Sequence, residues 1–292
     1  MDKNAKEKIK FERKMAVRRL LPLWFLKLIR RRQIPLRKMM SFKKKYQNRT
    51  INEPTKTETI AIIVPCYKHA QYLPSAFDSI IKQTRLPNQV VLIDDHSPDN
   101  TYDLIKRLVE SVGDKKIEFI IRQNKTNLGQ AATINKAINL ASTDLIMIMN
   151  DDDYLMHDAI EMTIDLFKNN PGLALIGGTS INSKSTDFLT NNKKFIKDYL
   201  KTPDIILTTY TPADTLNFED YCSLNMTHTG SVFSREKALS VDLYLDKKRR
   251  LILPTDRDFQ IRVGLLYPIA SAYQAPFCFW RNDASVDAGI FS

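Results

Sequence analysis

The stretch Leu145-Ile146-Met147-Ile148-Met149-Asn150-Asp151-Asp152-Asp153 joins five apolar residues to a polar run with three consecutive carboxylates. An apolar run of this length, bounded by turn-forming polar residues, predicts a strand that is buried on both faces of a sheet. A second stretch, Val90-Val91-Leu92-Ile93-Asp94-Asp95, repeats the arrangement. In an open α/β sheet, ligands bind in the crevice beyond the carboxyl ends of the strands. Both acidic clusters are therefore expected to lie at one crevice.

Carboxylates that are crowded into one crevice repel one another unless a cation or a donor-rich ligand lies between them. Mg²⁺ in particular is held by one or two carboxylates together with substrate phosphates. The alternative is that Asp94 and Asp153 serve only as turn residues and helix caps. Because the cluster occurs at two strand ends, the ligand-binding interpretation is favoured.

Around these two strands, short apolar runs alternate with segments of helical periodicity. Strands are predicted at residues 60–64, 90–93, 117–121 and 145–149, and a helical pattern follows each of the first three. Such alternation is typical of βαβ units and of an α/β fold with a mostly parallel sheet. The G-x-G-x-x-G pattern is absent after the first strand, and so is the P-loop pattern. A nicotinamide-dependent dehydrogenase and a P-loop kinase are therefore poor matches.

The charge of the chain is divided unevenly along its length. Lys and Arg number 44 against 33 Asp and Glu, a net charge of +11. Residues 1–50 hold 18 of the basic residues and only three acids, so this segment is net +15 and the remainder is net −4. The remainder, about 240 residues, is long enough for one large core or two smaller lobes. Cys66, Cys222 and Cys278 have no metal-site or disulfide spacing and indicate a reducing compartment.

Residues 1–50 are predicted to form a basic, amphipathic helical arm, followed by a linker over 51–59. The following residues share one helical face that basic residues flank: Val17, Leu20, Leu21, Trp24 and Leu28. This pattern suits the surface of an anionic membrane, and the arm has no apolar run near the ~20 residues that cross a bilayer. Three alternatives remain open: packing against the body, an organellar targeting segment and a nucleic-acid-binding tail. Nucleic acid is the least favoured partner, because aromatic residues do not interleave with the later basic run.

Four motifs, in order along the chain, resemble glycosyltransferase family 2. They are Ile63-Val64-Pro65-Cys66-Tyr67, then Asp94-Asp95-His96-Ser97-Pro98-Asp99, then Asn127-Leu128-Gly129 with Asn135, and finally Asn150-Asp151-Asp152-Asp153. The resemblance implies a GT-A fold, which is a Rossmann-like, mostly parallel sheet with flanking helices. It also implies a nucleotide-sugar-binding half over residues 60–155 and an acceptor-binding half over residues 156–292.

The resemblance implies a set of donor-binding residues: Pro65, Tyr67, Asp94, Asp95, Arg122, Gly129, Asp151 and Arg281. Asp94 would accept the N3–H of a uracil ring, a contact that a buried carboxylate makes well, and Asp95 would lie toward the ribose. Arg122 would face the base or a phosphate, or is simply an exposed residue at a strand end. Gly129 would let the backbone approach the donor closely, or serves only in a turn.

In the family's metal motif, Asp-x-Asp, Asn150 stands at the first Asp, Asp151 at the variable position and Asp152 at the second. The resemblance therefore makes Asp152 the expected ligand of Mn²⁺ or Mg²⁺ at the donor diphosphate. Near the chain end, Arg281 would contact phosphate. Asp283 stands where some relatives carry a metal-binding His and would be a second metal ligand.

The stretch Pro254 to Arg262 resembles the family's Glu-Asp-x-Asp segment, with Thr255 in place of the Glu. Asp256 is then the expected general base, which takes the proton of the attacking hydroxyl. The alternative is that Asp256 is only the N-cap of a helix. His228 is either an acceptor-side residue or a hydrogen-bonded structural histidine. Residues 180–218 are polar and are expected to shape the choice of acceptor, or to form ordinary surface.

The sequence therefore predicts a metal-dependent, inverting glycosyltransferase. A hexosyl or N-acetylhexosaminyl group would pass from a nucleotide diphosphate donor, with UDP expected, to a hydroxyl of a glycan or lipid-linked acceptor, as in surface polysaccharide synthesis. The expected location is cytoplasmic and peripheral, at the inner face of the membrane. The alternative function is a catalytically weak GT-A scaffold that binds glycan or partner proteins at the membrane.

Overall fold

A computed structural model describes residues 36–49, 59–114, 116–183, 205–217, 224, 226–252 and 254–281. Residues 1–35 of the arm, nearly all of the linker and both Cys222 and Asp283 lie outside this part of the chain. The described helices are α1 (Leu36–Tyr46), α2 (Leu73–Ile81), α3 (Thr101–Glu110), α4 (Gln130–Leu140), α5 (Ala159–Asn169), α6 (Pro212–Leu216), α7 (Arg235–Ser240) and α8 (Thr255–Gly264). The described strands are β1 (Ile60–Cys66), β2 (Gln89–Asp94), β3 (Glu118–Gln123), β4 (Leu145–Ile148), β5 (Tyr154–Leu155), β6 (Leu175–Ser183), β7 (Ile206–Tyr210), β8 (Val232–Ser234) and β9 (Ile269–Arg281).

The described strands form one sheet in the order β3-β2-β1-β4-β8-β6-β9-β5, with β7 paired to β9. The first four strands are parallel. β8 is antiparallel to both β4 and β6, and β9 runs parallel to β6. The prediction of an α/β fold with a mostly parallel sheet is confirmed, and the antiparallel strands belong to its distal side. The parallel order brings the carboxyl ends of β1, β2 and β4 to one edge.

Helices cover both faces of the sheet, as strands with continuous apolar runs require. On one face, Ile60, Ile62 and Val64 of β1 pack in a core with residues of α2, α3 and α5. On the other face, Ala61 and Ile63 pack with residues of α1, α4, α7 and α8. Successive residues of a strand point to opposite faces, so β1 contributes to both cores.

Pro65 lies inside β1, although proline cannot donate a hydrogen bond to a neighbouring strand. The pairing of β1 with β4 ends at Ile63, so Pro65 lies beyond it and pairs only in register with Ile93 of β2. The strand can therefore continue to Cys66 and carry the next residue, Tyr67, to the edge of the sheet.

The described end of the basic arm packs against the body. Helix α1 buries Met39, Phe42 and Tyr46. Just after it, Arg49 Nη1 donates to the Ser240 carbonyl at 2.8 Å. Residues 36–49 therefore pack against the body, as the alternative of an arm that packs against the body expects. None of the helices that the structure describes is long and apolar enough to cross a membrane.

Candidate active site

The turns after β1 and β2 form the floor of the candidate site. Lys68 and His96 lie in these turns with positive φ angles of 61° and 60°. Non-glycine residues adopt this conformation rarely and at an energetic cost, and such strain is concentrated at functional sites. Lys68 N donates to Ser97 Oγ at 3.2 Å, which ties the two turns together.

Asp94, at the end of β2, is fully buried. Its carboxylate accepts hydrogen bonds from the Ser97 hydroxyl and from Gln123 Nε2, the latter at 2.9 Å. Gln123 is the last residue of β3 and stands directly opposite Asp94 in the parallel register. The carboxylate is therefore held in place at the crevice by its two neighbours.

Asp95 holds the turn that precedes α4. One of its oxygens accepts from Asn124 Nδ2 at 2.7 Å and from Leu128 N at 2.8 Å. The other accepts from Gly129 N at 2.8 Å. Gly129 adopts a φ of 81°, a conformation that favours glycine. Asp95 and Gly129 together fix the entry into α4.

The acidic turn after β4 contacts the turn after β1. Asp151 Oδ2 accepts from Tyr67 N at 2.9 Å, and Asp151 Oδ1 lies 2.8 Å from His69 Nδ1. One ligand atom from each of His69, Asp151 and Asp152 can be chosen so that all three lie within 4.8 Å of one another. The Asp152 carboxylate has no hydrogen bond from any other residue of the described ranges, so its oxygens are free to bind a ligand.

Asp153 faces inward from the same turn. Its carboxylate accepts from the Thr229 hydroxyl, from Asn150 Nδ2 at 3.0 Å and from Arg281 N at 3.1 Å. The Asn150 side chain also accepts from Gln130 Nε2 at 3.1 Å. Asp153 therefore stabilises the turn from within, and it is more deeply buried than Asp152, at 1 % against 9 % exposed.

The electrostatics of this turn reflect burial and crowding. Burial raises the pKa of Asp151 and of Asp152, and the charge of Asp151 raises the pKa of Asp152 further. Burial and the charge of Asp152 raise the pKa of Asp153 to about 6. The hydrogen bond to Asp151 raises the pKa of His69. A cation at this position would relieve the repulsion and favour the ionised carboxylates.

The side chains of His69, Asp151 and Asp152 are suitable ligands for a divalent metal ion. Two carboxylates and one imidazole are ligands that Mn²⁺ accepts, and the carboxylates also suit Mg²⁺. The predicted metal ligand Asp152 lies in this set, together with Asp151, which was predicted to bind the donor. The other predicted metal ligand, Asp283, lies outside the described residues.

Arg281 lies beside the acidic turn, at the end of β9. Its Nε donates to the Asp152 carbonyl at 2.8 Å, and its guanidinium stacks on the Tyr72 ring at 4.6 Å from the ring centroid. The positive charge is thus fixed next to the candidate metal ligands. Two other predicted donor-binding residues are more exposed: Tyr67 is 38 % exposed, and Arg122 is exposed and donates to the Ile121 carbonyl.

The loop 226–231 forms the wall between the acidic turn and α8. Thr229 in this loop donates to Asp153, as described above. His228 Nε2 lies 3.2 Å from the Tyr244 hydroxyl. Burial lowers the pKa of His228, against an opposing effect of the Asp256 charge. Gln260 of α8 fixes the loop from the other side, because its Nε2 donates to the Thr227 carbonyl at 3.1 Å.

Asp256 lies at the second position of α8, whose N-cap is Pro254. The alternative that Asp256 is the N-cap is therefore wrong. Within the described part of the chain, no side chain or backbone group forms a hydrogen bond with its carboxylate. Asp256 is close enough to His228 and Tyr244 for its charge to raise the pKa of both groups.

Asp258, two residues further along α8, has the opposite environment. It is fully buried and accepts from Leu251 N at 2.5 Å and from Arg262 Nε at 2.7 Å. Arg262, also fully buried, donates in turn to the carbonyls of Val241 and Leu243. This pair ties the start of α8 to the turn that carries Asp242 and Tyr244.

Several residues of the site were not singled out from the sequence: His69, Gln123, Thr229, Tyr244 and Gln260. His69 lies 82 positions from Asp151, and no local pattern marks such a contact. Gln123 could have been found from strand register, because it ends the strand next to Asp94.

Comparison with known proteins agrees with the fold and with the motifs. The sequence model of Glycosyl transferase family 2 matches residues 61–239. The poly-beta-1,6-N-acetyl-D-glucosamine synthase of Staphylococcus aureus is 28 % identical over 130 residues, which are 44 % of this chain and 30 % of that protein. The match thus spans less than a third of the length of that curated relative.

Solved structures show the same architecture at low sequence identity. TarS 1–349 of S. aureus in complex with UDP-GlcNAc has a TM-score of 0.58 and 16 % identity, over 77 % of this chain and 59 % of that one. The mannosyltransferase PcManGT from Pyrobaculum calidifontis, in complex with GDP-Man and Mn²⁺, has a TM-score of 0.54 and 16 % identity, over 87 % and 66 %. The predicted GT-A fold is confirmed. With the family model matching more than half of its residues, the chain belongs to glycosyl transferase family 2.

Proposed function

We propose that the chain is a metal-dependent, inverting glycosyltransferase. It moves a sugar from a nucleotide diphosphate donor, of the UDP type, to a hydroxyl of a glycan or lipid-linked acceptor, as in surface polysaccharide synthesis. The observation that carries the proposal is that loop 226–231 contacts both sides of one crevice. Thr229 donates to Asp153 in the acidic turn, and the Thr227 carbonyl accepts from Gln260 Nε2 of α8, the helix that carries Asp256, at 3.1 Å.

On the donor side, Asp152 would be a direct ligand of Mn²⁺ or Mg²⁺ at the diphosphate, because its carboxylate has no competing partner among the described residues. The bound ion would supply Lewis-acid stabilisation of the departing diphosphate. Arg281, held next to Asp152, would place a second positive charge near the phosphates. Pro65, Tyr67 and Asp94 would form the base pocket at the end of β1 and β2.

Asp95, Gly129 and Arg122, which were predicted to bind the donor, would contribute less directly than Asp94. The oxygens of Asp95 already accept hydrogen bonds from Asn124, Leu128 and Gly129. Asp95 and Gly129 would therefore act mainly by shaping the turn beside the ribose. Arg122 points to solvent on the edge strand, so it would reach a donor phosphate or base only from outside the crevice.

On the acceptor side, Asp256 would accept the proton of the attacking hydroxyl. An inverting transfer needs one such base, positioned within hydrogen-bond reach of the nucleophile. Its open carboxylate at the second position of α8 supports this role. A hexosyl or N-acetylhexosaminyl donor is expected, because the similar proteins include a poly-N-acetylglucosamine synthase and structures in complex with UDP-GlcNAc and GDP-Man.

The binding test uses Asp152→Ala. Removal of the free carboxylate should abolish the Mn²⁺-dependent part of UDP-type donor binding, with the thermal unfolding curve unchanged. Isothermal calorimetry with UDP, with and without Mn²⁺, measures this. If the variant keeps the wild-type affinity in Mn²⁺, Asp152 is not the metal ligand. Donor hydrolysis that requires Mn²⁺ in the wild type separates an enzyme from a scaffold that only binds.

We also propose that the chain associates with the inner face of an anionic membrane as a peripheral, cytoplasmic protein. Helix α1 supports this, because Leu36 and Met40 are exposed one turn apart, at 54 % and 56 %. Exposed basic residues lie around them: Arg37, Lys38, Lys44 and Lys45. Exposed apolar side chains among basic ones suit the headgroup region of such a membrane.

The membrane proposal is tested by deleting residues 1–35, which leaves α1 in place. These residues carry a net charge of +9, and each Lys or Arg near an anionic surface contributes about 1 kcal/mol. Sedimentation with phosphatidylserine-containing vesicles should fall strongly, while turnover of a water-soluble acceptor stays near wild type. Unchanged sedimentation would contradict the role of the arm.

A further inference from the structure

The acidic turn contains a residue of different chemistry from its carboxylates. His69 approaches it from the turn after β1, and its ring nitrogen Nδ1 lies 2.8 Å from Asp151 Oδ1. The His69 side chain remains 26 % exposed, against 6 % for Asp151. One side of the imidazole is therefore open, while the other side faces the cluster.

The backbone holds this imidazole in place. Lys68, with its φ of 61°, turns the chain between Tyr67 and His69. As a result, Tyr67 N and the His69 ring bind the two different oxygens of Asp151. The ring also packs edge-on against Tyr72, with the centroids 5.9 Å apart. These two contacts keep the imidazole beside the acidic turn.

The spacing of the cluster matches that of metal ligands. Ligands about 2.1 Å from an ion in octahedral geometry are roughly 3 Å apart when adjacent and roughly 4 Å apart when opposite. The Asp151–His69 separation of 2.8 Å is close to the first value. The spread of 4.8 Å across all three residues is slightly above the second, so small side-chain rotations would bring the three ligand atoms around one ion.

We infer that His69 is a nitrogen ligand of the divalent ion in this crevice and biases the site toward Mn²⁺ and other transition metals over Mg²⁺. The inference rests on the proposed metal dependence. Carboxylates alone suit Mg²⁺ and Mn²⁺ alike, whereas an imidazole favours the transition metals. Asn150 adds no charge here because its side chain is a neutral amide, and that amide is already hydrogen-bonded to Gln130 and Asp153. The imidazole thus supplies the ligand that distinguishes the two ions.

A different role for the same contact is that His69 only orients Asp151 by a hydrogen bond and never touches the ion. The two roles predict different spectra. A directly bound imidazole gives isotropic ¹⁴N coupling to the unpaired electrons of Mn²⁺, whereas a hydrogen-bonded imidazole outside the coordination sphere gives only weak dipolar coupling.

The experiment is pulsed electron paramagnetic resonance on the full chain, with Mn²⁺ alone and with Mn²⁺ plus UDP. We expect ¹⁴N coupling of the imidazole type in the wild type and its loss in His69→Gln. The matched control is His157→Gln, which removes an exposed histidine outside the cluster and should retain the coupling. Thermal unfolding of both variants checks that the fold is intact.

Direct titrations supply the second measurement. The affinity of His69→Gln for Mn²⁺ should fall at least ~10-fold, the lower range for loss of a metal-supporting residue, while its affinity for Mg²⁺ stays close to wild type. Coupling that persists in His69→Gln, or a wild-type spectrum with oxygen ligands only, overturns the inference. In the second case, Mn²⁺ binding through oxygens leaves the proposed metal dependence standing. A chain that binds no Mn²⁺ even with UDP overturns both.

Discussion

The turn after β4 and the first turn of α8 each contain one aspartate whose carboxylate has no hydrogen bond from another described residue, but the charges beside that aspartate are balanced differently. In each, one carboxylate is open and at least one neighbour is held by hydrogen bonds. Asp152 is open between Asp151 and Asp153, and Asp256 is open two residues before Asp258. These open groups are the two that the sequence motifs predict as metal ligand and base.

The two turns differ in how the neighbouring charges are compensated. Around Asp152, burial and the charge of Asp151 raise its pKa, and the neighbouring groups that can offset this charge are the Arg281 guanidinium and the His69 imidazole. Beside Asp256, the charge of Asp258 is matched by the buried guanidinium of Arg262. The repulsion among the crowded carboxylates of the acidic turn favours binding of a divalent cation. Asp256, whose carboxylate has no hydrogen-bond partner among the described residues and whose neighbour Asp258 is neutralised by Arg262, is suited to accept a proton.

The largest change is expected from Asp258→Asn, which should lower the free energy of unfolding. The substitution leaves Arg262 buried without a full countercharge, and loss of one partner of a buried ion pair costs about 3–5 kcal/mol. Denaturant unfolding should show this loss of unfolding free energy. Asp256→Asn is the matched control on the same helix and should change the unfolding free energy by less than about 0.5 kcal/mol. Equal losses in the two variants would mean that Asp256 also has a structural role.

The second effect is that of Asp256→Asn on transfer. An amide cannot take the proton of the acceptor hydroxyl, so the transfer rate should fall about 10²-fold, equivalent to about 2.7 kcal/mol. Donor affinity should be unchanged, because Asp256 lies on the acceptor side. Single-turnover kinetics with saturating donor measure the chemical step. Transfer at the wild-type rate would exclude Asp256 as the base.

The strand-end motifs could be read from sequence because they depend on short-range patterns. The apolar runs that precede Asp94 and the acidic residues 151–153 predict both the strands and the crevice, and the parallel strand order then brings the two acidic clusters to one edge. The same reasoning does not reach the contact between His69 and Asp151, because it depends on two turns that meet only in the folded protein.

Two of the alternatives that the sequence left open are decided by local physical features. Asp256 has the composition of an N-cap, but Pro254 provides the extended residue before the helix, so the cap falls two positions earlier. Residues 36–49 belong to the segment assigned to a basic arm on charge, for which packing against the body was one alternative. The apolar spacing of Met39, Phe42 and Tyr46, which lie on the face that α1 buries, was the signal for packing against the body.

The third prediction concerns the held carboxylates on the donor side. In Asp95→Asn, a single amide oxygen replaces the two oxygens that accept from Asn124, Leu128 and Gly129. Leaving one or more buried donors without a partner should cost about 2 kcal/mol of unfolding free energy. The donor KM should rise as well, since the turn before α4 loosens. Asp103→Asn, an exposed aspartate on α3, is the control and should leave both quantities near wild type. If Asp95→Asn raises the KM with no loss of stability, Asp95 contacts the donor directly.

The smallest effect is expected where α1 meets the turn below α8. Tyr46 Oη donates to Asp242 Oδ2 at 2.5 Å, and Arg49 Nη1 donates to Asp242 Oδ1 at 2.7 Å. Burial alone would raise the pKa of Asp242, but these two hydrogen bonds outweigh it and lower the pKa. Tyr46→Phe should therefore cost about 1 kcal/mol at neutral pH, the typical contribution of one hydrogen bond.

The sign of the pH dependence follows from the lowered pKa. The unfolded-state pKa of an aspartate is about 3.9. A carboxylate whose folded-state pKa is lower than this adds stability at any pH above about 3.9, and that stability is lost as the pH falls through the folded-state pKa. The difference between wild type and Tyr46→Phe should therefore be constant from pH 7 to about 5 and shrink below about 4. Denaturant unfolding over this range measures it. A difference that does not change with pH would mean that the hydroxyl contributes by packing in α1 and not through the charge of Asp242.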